Sequence, residues 1–175
     1  MKQKMKFHYG TKGILACPMT RREYIDYRGW TLPADEDPTD NGFLVEHLND
    51  SEQNHPDHQG YISWSPVGLF NEAYKPSGEM SFGHAIEAMK SGCKVARAGW
   101  NGKGMWVALT PGSSFDSINT KKGHAARHRA NEFEEGGCVI HLLPHIDMRA
   151  ADGSMVVGWL ASQTDMLSDD WCIVP

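Results

Sequence analysis

The chain has 175 residues, of which 40% are hydrophobic and 22% charged, enough to bury a core in one domain or in two small ones. Its formal net charge of −5 is unevenly spread: residues 1–79 hold 8 Lys+Arg against 12 Asp+Glu, and residues 80–175 hold 9 against 10. Neither part offers the basic face that long nucleic acid demands. No apolar run approaches the roughly 20 residues of a membrane span, Met1–Lys6 is not followed by the apolar core of a secretory signal, and the four cysteines (Cys17, Cys93, Cys138 and Cys172) lie far apart. These features predict a reduced cytoplasmic protein with no membrane partner.

Residues 12–19 read as a short strand ended by Pro18. Thr20 and Glu23 have capping-box spacing before a helical piece through Tyr27, closed by Gly29 and Trp30. Residues 31–42, rich in Pro, Asp and Gly, predict a surface loop, and Phe43–Leu48 a strand. A polar excursion over 49–60 contains His55-Pro-Asp-His58. A second strand, Tyr61–Trp64, leads to Ser65 as an N-cap with Pro66 at the first helical position, and a helix runs to Tyr74. Lys75-Pro-Ser-Gly78 is the best linker in the sequence, dividing an N-terminal α+β module, residues 1–79, from a second domain, residues 80–175.

In the second domain Ser81 caps a helix whose apolar positions Phe82, Ala85, Ile86 and Met89 follow helical spacing, and Gly92 stops it. Lys94–Ala98 and Met105–Leu109 predict two strands joined by the glycine-rich stretch Gly99-Trp-Asn-Gly-Lys-Gly104, a long hairpin tip. Residues 110–137 read as a polar inserted loop with one helical turn, carrying a basic segment (Lys121, Lys122, Arg127, Arg129) followed by Glu132, Glu134 and Glu135. Val139–Leu143 is a strand, and Ile146–Trp159 a hairpin around a two-residue Asp152-Gly153 turn. Ser162 and Asp165 repeat the capping-box spacing before a short helix through Asp169, and Trp171–Val174 closes the chain as a strand. The predicted class is α+β, with small antiparallel sheets and hairpins against short helices.

Three constellations bear on chemistry. The paired histidines His55/His58 and His124/His128 have metal-compatible spacing, but nothing nearby completes either set, so no metal or cofactor is expected. His145 and Asp147 alternate onto one face of a strand, where they form a structural pair or an acid–base pair; no nucleophile stands in a recognisable context. The tip from Arg97 to Trp106 departs from the phosphate-loop pattern, since the four-residue glycine spacing and the Ser or Thr after the lysine are missing. Its composition suits a nucleotide in another way. Glycines let backbone approach a ligand, and an indole offers a stacking face, worth ~1–3 kcal/mol for a base. The alternative is an ordinary strand connection whose tryptophans are core. Asp165 likewise either caps a helix or accepts hydrogen bonds from a ligand.

Four ordered motifs carry a resemblance: Met80-Ser-Phe-Gly-His-Ala-Ile-Glu-Ala-Met89, Lys94-Val-Ala-Arg-Ala-Gly-Trp-Asn-Gly-Lys-Gly-Met-Trp106, Pro144-His-Ile-Asp-Met148 and Trp159-Leu-Ala-Ser-Gln-Thr-Asp-Met-Leu-Ser-Asp-Asp-Trp171. Residues 80–174 thereby resemble a bacteriophage family, the second type of Thoeris anti-defence proteins, formerly a domain of unknown function. The resemblance implies a non-enzymatic sponge in the cytoplasm of the infected bacterial host. It would sequester, without cleavage, a cyclic ADP-ribose isomer (glyco-cyclic ADP-ribose) made by bacterial TIR-domain proteins. It also implies a homo-oligomer, a tetramer, with pockets between protomers, and cyclic oligonucleotides as a second ligand class. The ligand site it implies is Arg97 facing the pyrophosphate, Trp100 or Trp106 stacked on adenine, and Asn101, Ser162 and Asp165 reaching sugar hydroxyls or the base edge. His84 departs from the acidic residue expected in the helix, and the 111–140 segment is longer than in minimal members. Tyr27-Arg-Gly-Trp30 and Gly60-Tyr-Ile-Ser-Trp-Ser-Pro66 resemble an appended phage module without a known role. The rival readings are a nucleotide-signal hydrolase using His145 and Asp147, and a virion or interaction module that binds no small ligand.

Overall fold

The computed structural model of the chain describes residues 12–48, 52–126, 128 and 138–175. Expectations about Met1–Lys6, Arg127, Arg129 and the acidic residues at 132–135 lie outside them. The chain divides into two compact units, Met1–Ser77 and Gly78–Pro175, and its class is α+β.

In the first unit β1 (Ile14–Pro18), β2 (Gly42–His47) and β3 (Tyr61–Pro66) form an antiparallel sheet in that order. Helix α1 (Arg21–Tyr27) starts at the predicted capping box, with the Thr20 side chain accepting from the Glu23 N–H and the Glu23 carboxylate accepting from the Thr20 N–H. Tyr24 and Ile25 of α1 pack with Leu44 and Ile62 as one core. Side chains alternate along a strand, so Phe43 leaves the opposite face, where Phe70 of α2 (Val67–Ala73) stacks on it at 3.9 Å between ring centroids. The start of α2 differs from the sequence expectation. Ser65 remains in β3 and Pro66 itself occupies the cap position with no side-chain bond, because β3 stays paired with β2 as far as Pro66↔Gly42.

In the second unit α3 (Phe82–Lys90) covers one face of a five-stranded antiparallel sheet. The strands are β4 (Lys94–Arg97), β5 (Trp106–Thr110), β8 (His145–Arg149), β9 (Met155–Val156) and β10 (Trp171–Val174), in the order β10-β4-β5-β8-β9. Met80, Ala85, Met89, Val95, Val107 and Trp171 form the core, and Trp171 is completely buried. The departure at His84 has a structural outcome. Its Nδ1 lies 2.7 Å from Ser81 Oγ and accepts from the Ser81 N–H, so the imidazole fills the place of a carboxylate in a capping box.

Three further expectations are corrected. Besides a helical turn, here a 3₁₀ turn at Ser117–Asn119, the 110–137 stretch contains a strand, β6 (Ser113–Asp116), paired with β7 (Val139–Leu142). Ser-Ser-Phe-Asp holds a single apolar residue, so alternation does not announce it. The Asp152-Gly153 turn is a three-residue loop: the Ala150 N–H meets Ser154 O, the Gly153 N–H meets Ala150 O, and Gly153 adopts φ +89°. The last helix, α4 (Gln163–Met166), is also shorter than predicted.

Candidate functional site

The tip between β4 and β5 is held against the segment that ends the chain. Arg97, at the end of β4, stands opposite Trp171 in register. Its Nε donates to Asp170 Oδ1 at 2.8 Å and its Nη1 to Asp165 Oδ1 at 2.9 Å, with only 12% of the side chain exposed. Asp170 also accepts the Gly99 N–H at 2.7 Å, fixing the first residues of the tip. Trp100 donates its indole N–H to Asp165 Oδ1 at 3.0 Å.

Asp165 is the node of this arrangement. Beyond the Arg97 and Trp100 bonds on Oδ1, its Oδ2 accepts from Ser162 Oγ at 2.7 Å and from the Ser162 N–H at 3.2 Å. A carboxylate has about four acceptor positions, and four donors meet this one. Burial works to raise its pKa, but the Ser162, Trp100 and Arg97 bonds outweigh it and hold the group at about 2. The carbonyl of Asp165 accepts the Trp171 indole N–H at 3.0 Å, so α4 is also anchored to the core. Arg97 meets two carboxylates, Asp170 first and Asp165 second, which raise its pKa and leave the cluster with a net negative charge.

Of the six residues expected at the site, the structure brings Arg97, Trp100, Ser162 and Asp165 together. Asn101 is exposed farther along the tip. Trp106 precedes the core residue Val107 and so leaves the opposite face of the sheet, with Lys94 Nζ 5.9 Å from its ring centroid. The space beside the tip glycines is taken by the protein itself. An added Cβ would meet the Asp170 carboxylate at Gly99, Met105 and Ala151 at Gly102, and the Arg149 guanidinium at Gly104, where φ is +71°. Arg149 also donates to Gly104 O at 2.6 Å.

Around Trp100 the structure packs three tryptophans, Trp100, Trp159 and Trp171, together with Phe82. Phe82, Trp100 and Trp159, each part-buried, surround the fully buried Trp171 with ring centroids 5.3, 5.4 and 6.3 Å from it. Trp159 lies 6.1 Å from Trp100 and 6.4 Å from Phe82 in edge-to-face geometry. The result is a partly open aromatic surface beside a rigid ionic cluster. Phe82 and Asp170 were legible only as a helix position and a strand neighbour.

The His145–Asp147 pair sits elsewhere on the sheet. Asp147 accepts from Thr110 Oγ1 at 2.5 Å and the Gly158 N–H at 3.0 Å, while His145 Nε2 stands 3.5 Å from it and His145 Nδ1 faces Leu143 O at 2.9 Å. Burial pushes the Asp147 pKa up, but Thr110, Gly158 and His145 bring it below the ordinary value. The carboxylate is thus tied to the fold by the Thr110 hydroxyl and the Gly158 N–H. Beside it lies a cavity of about 800 Å³ lined by His124, Ile140, His141, His145, Val157 and Gly158, none of them among the six expected residues. Among the described residues no group of three or more His, Cys, Asp or Glu is placed to hold a metal ion, and no helix is long and apolar enough to cross a membrane.

The comparisons with known proteins fall on the second unit. The family model of the Thoeris anti-defense 2-like domain (Tad2-like) matches residues 80–174. A protein named Thoeris anti-defense 2, from Bacillus phage SP01, is 36% identical over 96 residues, which cover 55% of this chain and 96% of that relative.

Proposed function

The chain belongs to the Thoeris anti-defense 2-like family through residues 80–174, and from that premise we propose that it is a phage anti-defence protein that sequesters a cyclic ADP-ribose-type signalling nucleotide without cleaving it. The observation that carries this reading is the aromatic surface of Phe82, Trp100 and Trp159 over the buried Trp171. A purine base stacked on such a surface gains ~1–3 kcal/mol. Asp165 and Arg97 hold the Trp100 indole in place, so their proposed role is to orient the stacking face, with Ser162 fixing Asp165 in turn. Asn101 at the tip is left to reach ligand hydroxyls. Copies of the chain complete the site as a homo-oligomer, a tetramer, inside the infected host cell. Tight binding with slow release is then the whole mechanism, and no step requires a catalytic group or cofactor.

The test is to mix the protein with cyclic ADP-ribose isomers, denature it by heat, and analyse the released small molecule by chromatography. Intact ligand is expected, and a linear product overturns the reading in favour of a hydrolase. Calorimetry of the Trp100→Ala variant is expected to show binding weakened about 10- to 100-fold, the equivalent of ~1–3 kcal/mol, with the oligomer intact by sedimentation. Unchanged affinity would move the site elsewhere. The 800 Å³ cavity supports the second ligand class, cyclic oligonucleotides, because three imidazoles line it and Lys121 and Lys122 precede His124 in the chain. His141→Ala is expected to weaken binding of a cyclic dinucleotide while leaving the cyclic ADP-ribose isomer unaffected.

A further inference from the structure

The two edges of the first unit's sheet are not alike. The Met19 N–H bonds Gly42 O at 3.0 Å and continues the β1–β2 register, so Met19, Cys17 and Leu15 direct their backbone groups toward β2. By the same alternation Ile14, Ala16 and Pro18 direct theirs outward. At the other edge β3 directs Ile62 outward, and the Asn54 side chain covers it: its Oδ1 accepts the Ile62 N–H at 2.7 Å and its Nδ2 donates to Ile62 O at 2.9 Å. Asn54 occupies the place of a neighbouring strand there, and Pro66 removes a further donor. The β1 edge also lacks one donor, at Pro18, but among the described residues no side chain caps its Ile14 and Ala16 backbone groups as Asn54 caps Ile62. Its sequence, Ile-Leu-Ala-Cys-Pro, holds no charge, four of its five residues are exposed, and Leu15 is 58% exposed. An uncharged apolar edge strand is a template for another strand.

We propose that β1 pairs edge to edge with β1 of a second copy of this chain. The chemistry of the edge selects this occupant. In an antiparallel pair centred on Leu15, Ile14 faces Ala16 of the other copy and Ala16 faces Ile14. Each of these facing pairs exchanges two N–H···O bonds, so every outward donor of the two residues is used. Pro18, which has no N–H to give, falls opposite Lys12 at the margin. At the centre Leu15 meets its own counterpart in the close, non-hydrogen-bonded position, and two exposed leucines cover each other. A charged partner peptide would find no complementary charge on this strand. The contact belongs to the first unit alone and does not depend on what the second unit binds.

A full-length variant with Cys17, Cys93, Cys138 and Cys172 replaced by Ser and with Leu15→Cys tests the pairing. The central Cα atoms would lie about 4.5 Å apart, within disulfide range. Mild oxidation is expected to give a disulfide-linked dimer on a non-reducing denaturing gel. Adding Ala16→Pro, which removes an outward N–H and leaves the bonds to β2 in place, is expected to cut that yield about tenfold. No dimer, or a dimer indifferent to Ala16→Pro, overturns the proposal. Amide exchange covers the case in which the cysteine variants misfold. In the wild-type chain the Ile14 and Ala16 amides are expected to exchange at least about tenfold more slowly than in Leu15→Lys, which sets like charges face to face. Fast exchange in the wild type, or protection that persists in Leu15→Lys because another part of the same chain covers the edge, would refute it.

Discussion

At the scale of single residues, Asp165 shows how a local cap becomes a tertiary node. Ser162 alone would make it an ordinary capping-box partner; Arg97 and Trp100, 68 and 65 positions away, turn it into the point where tip and chain end meet. Its pKa of about 2, below the 3.8 of an ordinary aspartate, carries a definite sign. The stabilisation is fully present above pH ~4 and is lost as the pH falls toward 2, because the unfolded chain takes up the proton first. Urea unfolding is expected to show a midpoint that declines between pH 4 and 2, and Asp165→Asn should remove about 2 kcal/mol at neutral pH and flatten part of that decline. Equal pH profiles for the two proteins would mean that other carboxylates account for it. Gly104 allows a second residue-scale test. With φ +71° and the Arg149 guanidinium 2.9 Å from an added Cβ, Gly104→Ala is expected to cost about 1–2 kcal/mol in denaturant melts.

At the scale of elements, the beginning of α3 depends on an unusual residue. His84 completes the Ser81 box through Nδ1, a task ordinarily given to Glu or Gln. Restoring the acidic residue with His84→Glu is expected to keep or raise the melting temperature, since a carboxylate also favours the helix N-terminus, whereas His84→Ala should lose about 0.5–1 kcal/mol. The end of the excursion between β2 and β3 is held by a buried carboxylate. Glu46 accepts from His58 Nδ1 at 2.8 Å and from the Gln59 and Gly60 N–H groups at 2.8 and 3.0 Å, while Tyr27 Oη lies 2.9 Å from His58 Nε2. Its pKa is lowered, chiefly by the His58 bond. Glu46→Ala should loosen residues 57–60, and limited proteolysis should cut there faster than in the parent while the rest of the sheet stays protected.

At the scale of the whole molecule, each unit encloses its own apolar core, Tyr24–Ile25–Leu44–Ile62 in the first and Met80–Ala85–Met89–Val95–Val107–Trp171 in the second. The family match covers the second alone. Residues 80–175 expressed by themselves are therefore expected to fold cooperatively and to bind a cyclic ADP-ribose isomer with the affinity of the full chain, as calorimetry would show. Loss of binding would mean that residues 1–79 contribute to the site. The edge pairing through Leu15, by contrast, should vanish from that fragment, because β1 is absent from it.

The amino-acid sequence by itself determined the local features of this protein. The capping boxes at Thr20 and Ser162 and the N-cap at Ser81 lie within four residues, and the helical spacing from Phe82 to Met89 and the strands on either side of the tip are periodic patterns of a few residues. The ordered motifs from Met80 to Trp171 likewise carried the family. Tertiary structure decided what depends on pairs far apart in the chain. Arg97 and Asp170, 73 positions apart, are an unremarkable cation and anion until β10 pairs with β4 and sets them 2.8 Å apart. The tip glycines, which composition alone would give to a ligand, are required by Asp170, Met105, Ala151 and Arg149 packing over them. Trp171 is core and Trp100 is partly open for the same reason: Phe82 of α3, Trp100 and Trp159 pack around the Trp171 ring and cover it completely, and Trp100 is one of the covering rings. Alternation and capping act within a few residues, whereas burial and ion pairing require the folded chain to choose which distant neighbours meet.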